Sequence, residues 1–490
     1  MFLAMAIGLY TSRIVLAQLG IEDYGIYNVV GGVVMMFAFL NSSMASSTQR
    51  FLTIELGRGN EEKLNRTFNT SLHIHILIAI VVAVVTEVGG LWFMNHKMQI
   101  PPERMDAAYW VFQFSILSMI ISFLNVPYTA VIIAYERMSA FAYISIFEVL
   151  LKLGIAFLLV VAPFDKLKLF AVLMFLSPLI IRIIYGIYCH RHFAAVKLRR
   201  MFDKVLFKEM SVFAGWSLWG QLASICSTQG INIILNVFFG PVVNAARGVA
   251  VQVQAAVGQF SMNFQTAINP QITKSYAAED YATMHLLIFR SAKFTFFLLY
   301  ALALPILFEA PFVLGLWLEE VPAHTVQFLR IILWITIIDS VANPLMVAAA
   351  ATGRIKKYQS VVGGLLIAIL PVAYVALKLG APPEAVFVVH LIICIIAFVA
   401  RLYIVKPLTM LSPSVFFKNV VVSCIAAGLL ALVLPLLLYI FLPDTAYGAF
   451  AVMAAAFVSV CGCAYSVGLS GNEKSFVRQL LSRIFRLKHD

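Results

Sequence analysis

Seven ionisable side chains lie inside long apolar stretches of this sequence: Arg13, Glu148, Lys152, Arg182, Arg247, Arg330 and Asp339. Charge in hydrocarbon is costly, so such groups tend to pair with one another or to line a hydrated path. The cations outnumber the anions, which favours an anionic ligand, and the planar guanidinium fork suits a phosphate. Glu148 and Lys152 stand i, i+4 on a helix and can neutralise each other; that reading competes evenly with a role in transport. Arg247 and Arg330 lie near the ends of their stretches, where long side chains snorkel to the interface. Arg330 reads as an anchor. Arg13, Arg182 and Asp339 sit deeper, where an idle charge is hard to justify.

A second concentration of chemistry is "VQVQAAVGQFSMNFQTAINPQ", residues 251–271, which holds Gln252, Gln254, Gln259, Asn263, Gln265 and Asn269. At 100° per residue, Val249, Val253, Val257, Phe260, Phe264 and Ile268 form one apolar arc. Gln252, Gln259, Asn263 and Thr266 fall to one side of it, and Arg247, Gln254, Ser261 and Gln265 to the other. Ala255, Met262 and Val251 lie between the two polar stripes. Only about a third of such a helix suits lipid, and an amide left unpaired in hydrocarbon is expensive. The amides are either glue between packed helices, about 0.6 kcal/mol each, or the wall of a hydrated cavity that offers them to sugar-like hydroxyls. Six amides and an arginine favour the cavity. The candidate ligand-binding set is therefore Arg13, Lys152, Arg182, Arg247, Gln252, Gln259, Asn263 and Asp339.

The elements that position these residues follow from composition. The chain of 490 residues is 62% hydrophobic and 12% charged, whereas soluble domains are roughly half apolar and about a quarter charged. Apolar runs long enough to span a bilayer recur along the whole length, so the chain reads as an all-α integral membrane protein. A membrane β-barrel would alternate instead. About fourteen spans are expected: 1–19, 24–47, 69–93, 108–134, 140–162, 167–190, 211–239, 245–270, 285–312, 325–351, 358–378, 382–405, 417–441 and 444–468. Met1 opens directly into the first span without the features of a cleaved signal peptide. That span reads as a retained helix whose natural start could lie earlier.

The net charge of +12 would suit nucleic acid if it were clustered on one soluble face. Assigned to alternate sides of the membrane, 25 Lys and Arg, Lys293 and Arg401 among them, fall on one side and five on the other. This is the positive-inside pattern; it places both termini in the cytoplasm and removes nucleic acid as a partner. The six cysteines show neither a disulfide framework nor zinc spacing. His73 with His75, and His190 with His192, share an i, i+2 spacing that splays them apart on a helix. There is no phosphate-binding loop, nucleophile elbow or dinucleotide fingerprint. No metal, cofactor or catalytic centre is expected, and the chain is not read as an enzyme.

The chain also repeats itself. Gly20 follows span one as Gly240 follows span seven, and Pro127 precedes Arg137 by the same interval as Pro344 precedes Arg354. The organisation expected is a six-helix lobe at 1–190, a basic cytoplasmic linker at 191–210 and a second six-helix lobe at 211–405. Two additional helices at 406–470 and a basic cytoplasmic tail at 471–490 follow. An even number of spans per lobe makes these parallel repeats about an axis along the membrane normal.

With those residues in view, "YTSRIVLAQLGIEDYGIYNVV" and "SSTQRFLTIELGRGNEEKLNR" resemble the first-span and second-span signatures of Wzx-type oligosaccharide-lipid flippases of the MOP exporter superfamily. The resemblance implies a V-shaped, MATE-like pair of six-helix lobes in the bacterial inner membrane. It implies movement of an undecaprenyl-diphosphate-linked oligosaccharide from the cytoplasmic to the periplasmic leaflet by alternating access, for O-antigen, capsule or exopolysaccharide synthesis. Partners would be that lipid-linked substrate, membrane lipids and a coupling ion or proton. In related flippases basic residues of spans one, two and eight serve the diphosphate; Arg13 and Arg247 match spans one and eight by position, and Arg50 is a looser match on span two. Fourteen spans also resemble the lipid II flippase. A multidrug/cation antiporter of the same superfamily would need acidic residues that these lobes largely lack. A membrane glycosyltransferase or ligase would need a large periplasmic loop.

Reporter fusions after residue 208 and after residue 490 should both give cytoplasmic signals. A periplasmic signal at either point overturns the expected topology.

Overall fold

An uninterrupted helix of 74 residues would run roughly 110 Å, several bilayer thicknesses. Yet in the computed structural model residues Lys204–Ala277 are helical on both sides of a single break, at Gly240 (φ 78°, ψ −172°). The Arg247 Nη2 donates to the carbonyl of Thr228 at 2.8 Å, nineteen residues away in sequence. On a straight helix those residues would stand roughly 28 Å apart. The segment therefore folds back on itself at Gly240, and spans seven and eight are the two arms of a helical hairpin.

The structure describes residues 2–475 and 478, except 36, 97, 99, 162, 164, 200–202, 319, 320 and 444. The side chains of residues 2–6, 8, 9, 12, 13, 16, 21, 22, 28, 29, 32, 33, 35, 38, 241, 242 and 245 also lie outside that description. Most of the tail expected at 471–490 is thus outside the described residues. The regular structure is helical: α1 Phe2–Met35, α2 Ala38–Gly57, α3 Glu61–His96, α4 Met105–Ala134, α5 Met138–Val161 and α6 Lys166–His192. There follow α7 Lys204–Ala277, α8 Tyr281–Phe308, the short α9 Ala310–Trp317, α10 Thr325–Ala351, α11 Lys356–Lys378 and α12 Ala385–Thr409. α13 Pro413–Phe416 continues through one π-type turn into α14 Ser423–Phe441, and α15 Ala446–Cys463 ends in another. Among the described residues, eleven helices are long and apolar enough to cross a membrane. The amide-rich arm 241–277 is not among them, because its polar side chains lower its hydropathy. Span nine, expected to run to residue 312, ends at Phe308, and α9 follows as a separate helix.

The chain divides into two compact units, Met1–Leu218 and Trp219–Asp490. In the first, α4 is the central helix and packs on α6, α2 and α3, while α5 packs on α1 and α6. In the second, α10 packs on α12 and α8, and α11 on α12. The backbone repeats in detail. Gly20 (φ 76°, ψ 169°) and Gly240 share one conformation, a region of backbone space open essentially to glycine alone. α2 ends with Asn60 N–H on the Glu55 carbonyl and a left-handed Gly59; α7 ends with Asp280 N–H on the Ser275 carbonyl and a left-handed Glu279. Both are Schellman-type stops. Asn60 and Asp280 then cap the next helix, accepting from the N–H of Lys63 (2.9 Å) and Thr283 (3.0 Å). Glu136 and Gly353, left-handed residues after α4 and α10, complete the series.

Local contacts fix the bends. In the first unit Arg104 donates to Asp23, just past the Gly20 turn, and at 2.9 Å to Asp165, which caps α6. Lys166 reaches Gln18, on the other side of the turn, at 2.8 Å. Burial works against ionisation of Asp165, but the Lys168 N–H and the Arg104 guanidinium outweigh it and hold its carboxyl below the usual range. A depressed carboxylate of this kind stabilises the fold near neutrality, and the contribution is lost as the pH falls through its folded-state pKa. In the second unit the first arm of α7 lies close against α11; a Cβ at Gly230 would stand 2.5 Å from the Leu370 side chain. α14 and α15 pack on each other, and α15 on α8. The buried Lys293 of α8 bonds Glu473 at 3.1 Å and pins the chain just beyond α15. Lys293, counted from the sequence among the charges of the cytoplasmic side, is thus ion-paired within the unit.

Gly20→Ala and Gly240→Ala should each cost about 1–3 kcal/mol, because that backbone region is strained for a residue with a Cβ. Gly248→Ala, at a helical position with open space around it, should be neutral or slightly stabilising. Thermal unfolding of the purified variants in one detergent checks this, and equal effects at 240 and 248 would refute it.

Candidate functional site

The two polar stripes of the arm 241–277 have different surroundings. On one, Gln254 Nε2 donates to the Thr336 hydroxyl at 2.8 Å and the buried Gln265 to the Ser340 carbonyl at 3.3 Å. Ser261 is buried on the same side. These groups join the arm to α10, so this stripe is the glue. The other stripe carries Gln252, Gln259 and Asn263, all exposed, together with the exposed Gly248, Ala255, Ala256 and Met262. At i, i+4, i+7 and i+11 from Gly248 they make a continuous outer face of amides and small side chains.

The apolar arc corrects an expectation. Val257 is buried, Val249, Val253 and Ile268 pack against the core of the unit, and Phe264 meets Phe294 of α8 edge-on at 6.2 Å. The arc faces protein, because α8 and α10 need an apolar partner. The face left for the exterior is therefore the amide stripe, which lipid solvates poorly.

Arg247 is only 6% exposed. Its Nη1 donates to the Asn232 side chain at 2.5 Å and its Nη2 to Thr228, which ties the arms of α7 together. Snorkelling is excluded by that burial, and a structural clasp explains its contacts better than a hold on a ligand. Arg330 does act as an anchor: it donates to the carbonyls of Leu307 and Phe308 at the end of α8, where cations are favoured. Arg13 lies on α1, and its side chain is outside the described residues.

Asp339 accepts from Arg401 of α12 at 3.0 Å while its side chain stays 47% exposed. Arg401, counted on the cytoplasmic side from the sequence, is half-buried against Asp339 within the unit. His390 lies within electrostatic range of both Asp339 and Arg247, and Tyr358 and Cys394 flank the Arg401 pair. Sequence reasoning missed Arg401 and His390 as members of this cluster. They share one face of α12, three turns apart, a spacing that was readable, but nothing local connects them to Asp339.

In the first unit Lys152 Nζ and Glu148 pair at 2.6 Å. They line a cavity of about 360 Å³ together with Tyr27, Asn41, Ser115 and Ser122. Pairing and cavity thus coincide there. Arg182 lies over the Tyr128 ring at 3.7 Å, and Arg50 lies near the Phe51 and Phe213 rings at 4.7 and 4.8 Å, as cations do on aromatic faces. The paired histidines turn back onto their own helices: His73, His75 and His192 each bond the carbonyl four residues earlier.

A second cavity was not foreseen. A groove of about 700 Å³ in the second unit is lined by Trp334, Ile338, Ile395, Phe398, Phe417 and Val421, among other mainly apolar side chains of α8, α10, α12 and the α13–α14 segment.

The profile of the MatE family matches residues 1–158. No curated protein matches the chain significantly. Among solved structures, the chain is similar to a multidrug resistance MATE family transporter of the MOP superfamily in an outward-facing conformation. The identity is 13% and the TM-score 0.71, over 83% of this chain and 93% of that one. A MATE transporter in a bent conformation is similar at 13% identity and a TM-score of 0.69, over 83% of this chain and 93% of that one. So is a MOP superfamily transporter from Pyrococcus furiosus, described as having a binding pocket of reverse polarity suggesting a different function. There the identity is 14% and the TM-score 0.66, over 83% and 93% of the two chains. The fold is thus that of MATE-type transporters, and no catalytic family is indicated.

In a background with the six native cysteines replaced, Gln252→Cys and Gln259→Cys should react with a membrane-impermeant thiol reagent. Val257→Cys should resist it by burial, and Leu429→Cys, apolar and 61% exposed on α14, by facing lipid. Protection of positions 252 and 259 to the level of 429 would place the amide stripe in lipid and remove it as a water-lined wall.

Proposed function

We propose that this protein is a flippase that carries an undecaprenyl-diphosphate-linked oligosaccharide from the cytoplasmic to the periplasmic leaflet of the bacterial inner membrane, by alternating access. The observation that carries this reading is the outer stripe of Gln252, Gln259 and Asn263, exposed beside small residues. Amides donate and accept at once, which matches hydroxyl-rich sugars and gives little hold on a cationic drug. The two anionic groups singled out within spans, Glu148 and Asp339, already hold Lys152 and Arg401. They are poorly disposed to bind a second cation without releasing the first.

The apolar groove of about 700 Å³ supports a substrate with a long hydrocarbon chain, since such a chain gains roughly 0.8 kcal/mol for each CH₂ it buries. Arg13, on the first span, remains the proposed contact for the diphosphate. Lys152 and Arg182 are proposed to border the path in the first unit, and Asp339 in the second. The domain organisation proposed is the duplicated six-helix lobe with a two-helix appendix, both termini cytoplasmic. The α13–α15 appendix favours one second reading, a lipid II flippase.

In a strain that depends on this copy, Arg13→Ala should leave abundance near normal and lower export about 10- to 100-fold. That is the loss of a charge-assisted hydrogen bond of roughly 1.5–3 kcal/mol. Gln252→Leu with Gln259→Leu should slow export at normal abundance, and Arg13→Lys should restore part of the rate. Lipid-linked oligosaccharide should accumulate on the cytoplasmic leaflet; accumulation of peptidoglycan precursor would select the second reading. Wild-type export by both the Arg13→Ala and the Gln252/Gln259 variants would sink the proposal.

A further inference from the structure

The basic linker after α6 is ordered by two buried asparagines. Phe193, at its start, is buried and stacks on Tyr135 with ring centroids 4.3 Å apart. Asn65 Nδ2 then donates to the carbonyls of Ala195 at 2.6 Å and Lys197 at 2.8 Å. One turn along α3, Asn69 Nδ2 donates to the same Lys197 carbonyl at 3.0 Å, and its Oδ1 accepts from the N–H of Arg199 at 3.0 Å. The backbone from 193 to 199 is fastened along α3, while the side chains of Lys197, Leu198 and Arg199 are exposed.

Its depth follows from the flanking helices. On α6, the exposed apolar positions Ile180, Ile183 and Ile187 end one turn before the exposed Arg191. On α3, exposed apolar side chains begin at Ile76 and Leu77, so Asn69 lies about 10 Å beyond that edge at 1.5 Å per residue. The linker thus sits just outside the hydrocarbon, at the level of the lipid headgroups. Leu198 is 59% exposed there, between two cations. Of the acidic side chains around it, Asp203 accepts from the N–H groups of Val205 and Leu206 at 3.0 Å, and Glu62 on the first turn of α3 is taken by Arg66 at 2.7 Å.

We propose that Lys197, Leu198 and Arg199 form a preordered docking surface for anionic phospholipids. The two cations would meet the phosphodiester and headgroup charge, and Leu198 would enter the boundary of the acyl region. A fixed backbone presents the three side chains together, so little ordering cost falls on binding. The surface is independent of which glycan the protein carries.

The test uses the full chain in detergent micelles, titrated with phosphatidylglycerol or phosphatidylcholine, with retained lipids read by native mass spectrometry. Lys197→Gln with Arg199→Gln should weaken phosphatidylglycerol retention roughly 25-fold, since each basic group near an anionic surface contributes about a fivefold factor. Phosphatidylcholine retention should not change. Leu198→Asn should weaken both lipids, and Asn69→Ala, which keeps the charges but frees the backbone, should weaken phosphatidylglycerol retention in part. Arg354→Gln with Lys356→Gln, elsewhere among the basic loops, is the control. An equal loss in the control, unchanged retention in the 197/199 variant, or full displacement of the lipid by inorganic phosphate at equal concentration would each overturn the proposal.

Discussion

Hydrocarbon offers no hydrogen bonds, and that constraint organises this chain. Each polar group carried into an apolar helix must find a partner in the protein or in water. Ser118, Thr295 and Thr336 bond the carbonyl four residues back along their own helices. His75 does the same. Gln254 and Gln265 reach across to α10. Against this background, an exposed helical face bearing Gln252 and Gln259 stands out, and water or a polar substrate is the environment that suits it.

The same constraint explains the bends. Reversing the chain inside a helical hairpin requires backbone that turns sharply with few residues, and Gly20 and Gly240 supply it. Beyond the reversal the two arms are tied together by Arg247, which bonds the Thr228 carbonyl and the Asn232 side chain. The guanidinium is thus consumed within the unit, which separates the roles of two arginines that look alike in sequence. Arg330 is consumed in a similar way by the end of α8.

The charges of the spans follow suit. Glu148 with Lys152 and Asp339 with Arg401 are paired, yet each pair keeps substantial exposure. Ion pairs of that kind contribute little to stability. Their position beside a cavity in the first unit, and beside His390 in the second, is of more interest for function than for folding. In the proposed function, the neutral amides and the apolar groove serve a bulky sugar-bearing lipid rather than a small cation.

Much of this architecture was legible from the chain alone, because it rests on local patterns. Runs of apolar residues mark spans whatever their neighbours do, so the fourteen stretches fell largely on helices, and the spacing of Gly20 with Gly240 marked two positions that share one backbone conformation. The wheel of 251–271 separated two polar stripes correctly. It could not say which stripe met α10 and which stayed outside, nor that the apolar arc faced α8 rather than lipid. Periodicity records which residues share a face, not what that face touches. Arg401 illustrates the limit: its partner Asp339 lies 62 residues away, and only the packing of α10 on α12 brings them together. The groove beside α13 and α14 is likewise made by packing, between helices whose sequences show only that they are apolar. Sequence determined the helices, their bends and the inventory of polar groups. Tertiary structure decided which of those groups were satisfied inside and which stayed on an exposed face, because pairing across helices depends on contacts that no local spacing encodes.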